Sequence, residues 1–164
     1  LRQFPDVLGG TDPRRAEAED LAARSFELCE YLVDVRGFAP EPLADPGAVT
    51  YHDSCAGLRE CGIRTQPRSL LAAAGVELRE MDAAEVCCGF GGTFCVKYPD
   101  VSAAMTDAKI ASIERSGAPE VIGGDLGCLL NIAGRLAREQ RPIRARHLAE
   151  VLVADGSPAL GEPR

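Results

Sequence analysis

Val121-Ile122-Gly123-Gly124-Asp125-Leu126-Gly127-Cys128-Leu129-Leu130-Asn131 runs from a strand into a helix within eleven residues. Val121-Ile122-Gly123 is a short β-rich apolar run of the kind that sits in a buried strand. The glycines that follow supply a tight turn. Leu129, Ala133, Leu136 and Gln140 then recur at helical spacing. Cys128 falls where that helix opens.

The same alternation repeats on either side. Upstream, Val49-Thr50-Tyr51-His52 is a strand, and Gln66-Pro67 starts a helix through Leu70, Leu71 and Ala74 that Gly75 stops. Val76 to Glu80 alternates as a strand, and a helix runs from about Pro99 to Arg115, ended by Gly117. Downstream, Ile143 to Arg146 is a fourth strand and His147 to Ala154 a last helix. Strands alternating with helices predict right-handed crossovers. The expected fold is α/β: a small, mainly parallel sheet of about four strands with flanking helices. A long N-terminal helix precedes it, opened by Asp12-Pro13, carrying Leu21, Leu28, Leu32 and Val35, and stopped near Gly37. Ala39 to Gly47, with Pro40, Pro42 and Pro46, reads as a linker. Gly156 to Arg164 reads as a disordered tail.

The chain has 164 residues, enough for one domain that buries roughly 70% of its unfolded surface. A net charge of −7 argues against nucleic acid and anionic membrane surfaces as partners. No apolar run approaches the roughly 18 residues of a membrane span. The sequence begins at Leu1, and a segment upstream is expected. Seven cysteines are an odd number, so they cannot all pair, and in a reducing compartment they point to metal or catalysis.

Four of them share a placement. Cys55 follows the first strand by three residues, Cys87-Cys88 follow the second by a short loop, and Cys128 follows the third. In a parallel sheet the carboxyl ends of the strands lie on one edge, where ligands bind. Cys55, Cys87, Cys88 and Cys128 are therefore expected to converge. A thiolate at a helix N-terminus is favoured by the free amides there. Cys88-Gly89-Phe90-Gly91-Gly92-Thr93 lets backbone amides approach a cluster closely. Adjacent side chains diverge in an extended chain, which suits separate irons of a polynuclear cluster better than one tetrahedral zinc. A strained vicinal disulfide is the bland reading of that pair.

The remaining candidates carry weaker signals. Cys29, mid-helix on the apolar side, reads as a buried thiol. Cys61 lies in a polar turn with no role. Cys95, two residues past Thr93, reads equally as a ligand or as a thiol beside the site. His52 ends the first strand and His147 follows the fourth, so both can face the site, although a lone histidine is more often a hydrogen-bonded structural residue.

These motifs resemble a known family. Cys55, then 31 residues, then Cys87-Cys88-Gly89, then 38 residues, then Cys128 is similar to the cysteine-rich CCG domain found in heterodisulfide reductase and in the glycolate oxidase iron–sulfur subunit. Tyr51-His52-Asp53-Ser54-Cys55, the stretch from Cys87 to Pro99, and Gly123 to Asn131 resemble the lactate utilisation A family within it. The resemblance implies an iron–sulfur electron-transfer component, itself non-catalytic. It would work in a cytoplasmic complex that oxidises L-lactate to pyruvate with companion subunits, and Cys55, Cys87, Cys88 and Cys128 would hold a four-iron, four-sulfur cluster. The family pattern ends Cys-x-x-Cys, whereas Cys128 is followed by Leu129, Leu130 and Asn131, so one ligand is missing here. Family members carry two such domains. Residues 1–44 are then a connecting helix and linker from a missing first half, 45–155 the cysteine-rich domain and 156–164 the tail. A zinc-binding structural or docking domain of the same complex is the alternative. A phosphate cradle at Gly89-Phe90-Gly91-Gly92 fails on spacing and leaves the cysteines unexplained.

Overall fold

The computed structural model describes residues 1–153 and 158–160. In chain order it comprises α1 (Phe4–Val7), α2 (Arg15–Ala23), α3 (Leu28–Glu30), β1 (Ala48–His52), α4 (Cys55–Glu60), α5 (Gln66–Ala73), β2 (Glu77–Leu78), α6 (Thr93–Lys97), α7 (Pro99–Ser116), β3 (Glu120–Gly123), α8 (Leu126–Arg138), β4 (Arg144–His147) and α9 (Leu148–Val153). The four strands form one parallel sheet in the order β2-β1-β3-β4.

Burial follows from the strand sequences. All four residues of β3 are buried, and so are Val49, Thr50, Tyr51 and His52 of β1, as expected of central strands covered on both faces. The two faces gather separate cores. Val49, Tyr51 and Ile122 pack with Leu70 and Leu71 of α5 and with Leu148 and Val151 of α9. Val121 and Ala145 pack on the other face with Ile110 and Ile113 of α7 and with Leu129, Ile132 and Leu136 of α8. From β1 the chain steps outward to β2, then crosses back to β3 on the other side of β1. That reversal makes the carboxyl ends of β1 and β3 the switch point of the sheet, where a crevice opens between diverging loops.

The long N-terminal helix expected before the sheet is instead broken. Asp12 Oδ1 accepts from the Arg14 amide at 2.8 Å, so α2 starts only at Arg15, and it ends at Ala23. Glu27 then caps a new helix: its side chain accepts from the amides of Cys29 and Glu30, and Glu30 reaches back to the Glu27 amide. This reciprocal cap overrides the continuing 3.6-residue period, and its Glu at the first position falls outside the usual Ser/Thr signature. A wider π turn over Tyr31–Val35 follows, and this segment packs on the β1 core through Leu32 and Val33. The proline-rich segment is pinned where the Leu43 amide donates to the Ala74 carbonyl at 3.0 Å.

Elsewhere the differences are smaller. β2 keeps two residues where five are expected. Cys55–Glu60 and Thr93–Lys97 form two further short helices, and Cys61, expected in a polar turn, caps the first of them. Most of the expected tail lies outside the described residues, but within it Ala159 is buried and the Leu160 amide donates to the Ala145 carbonyl at 2.9 Å. No helix among the described residues is long and apolar enough to cross a membrane.

Candidate metal centre

Three loops bring the cysteines to the switch point. At the end of β1, Ser54 caps α4 by accepting from the Gly57 amide at 3.1 Å, which places Cys55 at the first helical position, exposed. At the end of β3, Asp125 caps α8 by accepting from the Cys128 amide at 2.9 Å, which sets Cys128 in the first turn, buried. The third loop leaves β2 and returns beneath β1, where the Asp53 amide donates to the Ala84 carbonyl at 3.1 Å.

That returning loop is held from below by α7. Ser102, Thr106 and Lys109 recur on one helical face, and all three are buried. The Lys109 ammonium donates to the carbonyls of Ala83 and Ala84. The Ser102 hydroxyl donates to the Gly89 carbonyl at 2.8 Å. Asn131 Nδ2 donates to the Cys88 carbonyl at 3.1 Å and to Thr106 Oγ1 at 3.0 Å. In a trans peptide the next amide points opposite to its carbonyl. With the Cys88 and Gly89 carbonyls drawn down into α7 and α8, the Gly89 and Phe90 amides face the cysteines. The Gly89 amide lies 3.4 Å from Cys87 Sγ, and the Phe90 amide favours the ionised Cys88 thiol. Gly89 adopts φ +89°, and a Cβ there would stand 2.7 Å from the Ser102 carbonyl oxygen.

The crevice is electrostatically arranged for thiolates. Donor atoms of His52, Cys88 and Cys128 lie within 4.8 Å of one another, and all three residues are buried. Contact with the Cys128 thiol, opposed by burial and assisted by His52, pulls the Cys88 thiol down to about 4. The same contact, then burial, pushes Cys128 well up. Burial lowers the proton affinity of Lys109, and the neighbouring thiols of Cys88, Cys87 and Cys128 and the Asp53 carboxylate offset only part of that.

Cys55 and Cys87 lie outside the 4.8 Å group but on the same edge. Cys55 is near enough that its charge adds to the upward push on Cys128. The Cys95 thiol donates to the Gly92 carbonyl at 3.0 Å. His147 has both ring nitrogens engaged. Nδ1 accepts from the Ala149 amide at 3.2 Å, which leaves Nε2 to donate to the Gly124 carbonyl at 3.0 Å. Cys29 is buried in the β1 core and Cys61 packs against it. Burial pushes the Cys29 thiol up to about 12. Iodoacetamide at pH 8 is therefore expected to modify Cys55 early and Cys29 only after unfolding, as peptide mass mapping over time will read; early modification of Cys29 contradicts this core.

The sequence motifs do not single out the holding residues Lys109, Ser102, Thr106 and Asn131. A signal for three of them is nonetheless present: polar residues at i, i+4 and i+7 on a helix face that must be buried.

A family model for a cysteine-rich domain, CCG, matches residues 49–133. Among curated proteins, the chain is 45% identical to a lactate utilization protein A of Geobacillus kaustophilus over 155 residues, which is 94% of this chain and 65% of the relative. It is 43% identical to one of Geobacillus thermodenitrificans, covering 93% of this chain and 64% of the relative. It is 38% identical to one of Oceanobacillus iheyensis, covering 93% and 63%. The chain spans just under two thirds of the length of these relatives.

Proposed function

The chain belongs to the cysteine-rich CCG domain family, and on that premise we propose that it holds an iron–sulfur cluster and passes electrons in lactate utilisation. In this reading Cys55, Cys87, Cys88 and Cys128 are the thiolate ligands, and the cluster is of the four-iron, four-sulfur kind. The chain serves L-lactate oxidation to pyruvate as a non-catalytic component of a cytoplasmic complex with companion subunits. Residues 1–44 join it to a first cysteine-rich half.

The observation that carries the proposal is the pair Cys88 and Cys128, buried together at the switch point of the sheet. The surroundings fit such a group. Gly89 lets the loop lie close on α7, which turns the Gly89 and Phe90 amides toward sulfur, and the Lys109 ammonium lies among the thiols. A cluster held there would supply one-electron storage at a potential set by those hydrogen bonds and by burial. Zinc is the second reading, because three donors within 4.8 Å can also surround one ion.

Anaerobic purification followed by iron, sulfide and zinc analysis tests it. The expected protein is brown and contains iron and acid-labile sulfide. Cys128→Ser is expected to lose most of that iron, and Cys61→Ser to keep it. Colourless protein with stoichiometric zinc and no sulfide would replace the cluster with the second reading.

A further inference from the structure

His52 is the last residue of β1, paired in register with Gly123 of β3 at the switch point. It is 1% exposed, and among the described residues neither ring nitrogen has an oxygen or nitrogen partner, while the Cys88 thiol lies near enough to interact with the ring. A buried imidazole matched by nothing stronger than a thiol is costly, because its polar atoms have given up water for a weak partner. His147 shows what a structural histidine looks like here, with one nitrogen donating to a carbonyl and the other accepting from an amide. What His52 has within reach is sulfur: one of its ring nitrogens and the Sγ atoms of Cys88 and Cys128 share a space 4.8 Å across. Donors around one tetrahedral ion, at about 2.0–2.3 Å from it, stand roughly 3.5–4 Å apart.

The position that could have supplied a further thiolate is closed off. Asn131, three residues after Cys128, has its amide turned beneath the loop onto the Cys88 carbonyl and Thr106. It cannot also reach into the crevice.

We propose that His52 is a nitrogen ligand to the metal that Cys88 and Cys128 hold, forming a corner of one imidazole and two thiolates. The inference rests on the metal centre proposed above and adds a donor to it. If the centre is an iron–sulfur cluster, the neutral nitrogen is a fifth protein donor beside the four thiolates, standing in for the thiolate that Asn131 does not supply. The cluster is then less negative, and its potential higher, than with a fifth cysteine, as when histidines replace cysteines at other iron–sulfur centres.

The chain has two histidines, so labelling is close to site-specific. The full chain is grown with 15N-histidine, reconstituted anaerobically with ferrous iron and sulfide, and studied by pulsed electron paramagnetic resonance in its paramagnetic oxidation state. The expected result is a strong nitrogen coupling that switches from the 14N to the 15N pattern with the label, persists in His147→Gln and disappears in His52→Ala. A cluster with no histidine nitrogen coupling in the wild-type chain overturns the proposal, whatever the variants do. If iron and sulfide are not taken up but zinc is, the cluster reading has failed and the ligand can still be decided. X-ray absorption at the zinc edge should then show one nitrogen beside sulfur, absent in His52→Ala, and a sulfur-only shell overturns the proposal. A chain that binds neither metal overturns it as well.

Discussion

Gly89→Ala is expected to destabilise the domain by about 2–5 kcal/mol. A left-handed backbone costs a non-glycine residue about 1–2 kcal/mol, and forcing an extra carbon into a packed site typically about 1–3 kcal/mol more. The new Cβ meets the Ser102 carbonyl oxygen at 2.7 Å and Met105 and Thr106 side-chain atoms at 3.1 Å. A backbone oxygen inside α7 cannot swing aside, so the loop must rise. That breaks the Ser102 bond to Gly89 and turns the Gly89 amide away from Cys87. Gly92→Ala is the matched control. It also sits at positive φ, +59°, but nothing lies within 4 Å of its Cβ position, so only backbone strain of about 1–3 kcal/mol remains. Urea unfolding of the two variants and wild type, with bound metal measured alongside, checks this. Equal losses in the two variants would mean that close packing beneath Gly89 is not what the glycine is for.

The other large effect is expected at Arg68, which belongs to none of the cysteine motifs. Asp53 follows His52 directly, and its side chain is 2% exposed. Arg68 grips it with two parallel bonds of 2.9 Å, reaches Glu80 and the Arg64 carbonyl, and lies over the Tyr51 ring at 5.4 Å. Removing the cation strands a buried carboxylate, which costs about 3–5 kcal/mol when a buried pair is halved. Arg68→Met should therefore lose about that much in chemical denaturation. Asp53→Asn combined with Arg68→Met should recover a substantial part, because the uncompensated charge is gone. A single variant within about 1 kcal/mol of wild type would show that water reaches Asp53. Glu80, nearly half exposed, contributes little to either outcome.

Much of this architecture was legible in the chain. β-branched and aromatic runs bounded by glycine and proline marked β1 and β3, and the 3.6-residue period marked α5, α7 and α8 nearly to their ends. Because parallel strands present their carboxyl ends together, the edge that carries Cys55, Cys87, Cys88 and Cys128 followed from order alone. What did not follow is set by contacts distant in sequence. The path from Leu78 to Cys88 has no periodicity. It is fixed by Lys109, by Ser112 and Arg115 gripping Asp82, and by the Asp53–Ala84 bond. The break between α2 and α3 depends on an unusual glutamate cap. His52 could be placed on the correct edge, but only the three-dimensional structure shows its ring beside sulfur with no oxygen or nitrogen partner, while His147, on the same edge, has an amide and a carbonyl.

The strand order also has a consequence for the chain as it is made. β3 lies between β1 and β4, yet it leaves the ribosome long after β1. Until it arrives, one side of β1 is an open template for foreign strands, and Cys87 and Cys88 hang in a loop with no Cys128 to face. The nascent protein therefore passes through an interval in which reactive thiols and an unpaired strand edge are exposed together. That interval closes only when α8 has emerged and docked. An ion or oxidant that reaches the chain earlier meets an incomplete set of donors. The topology thus fixes the earliest moment at which these thiols can meet, and places it after α8 has left the ribosome.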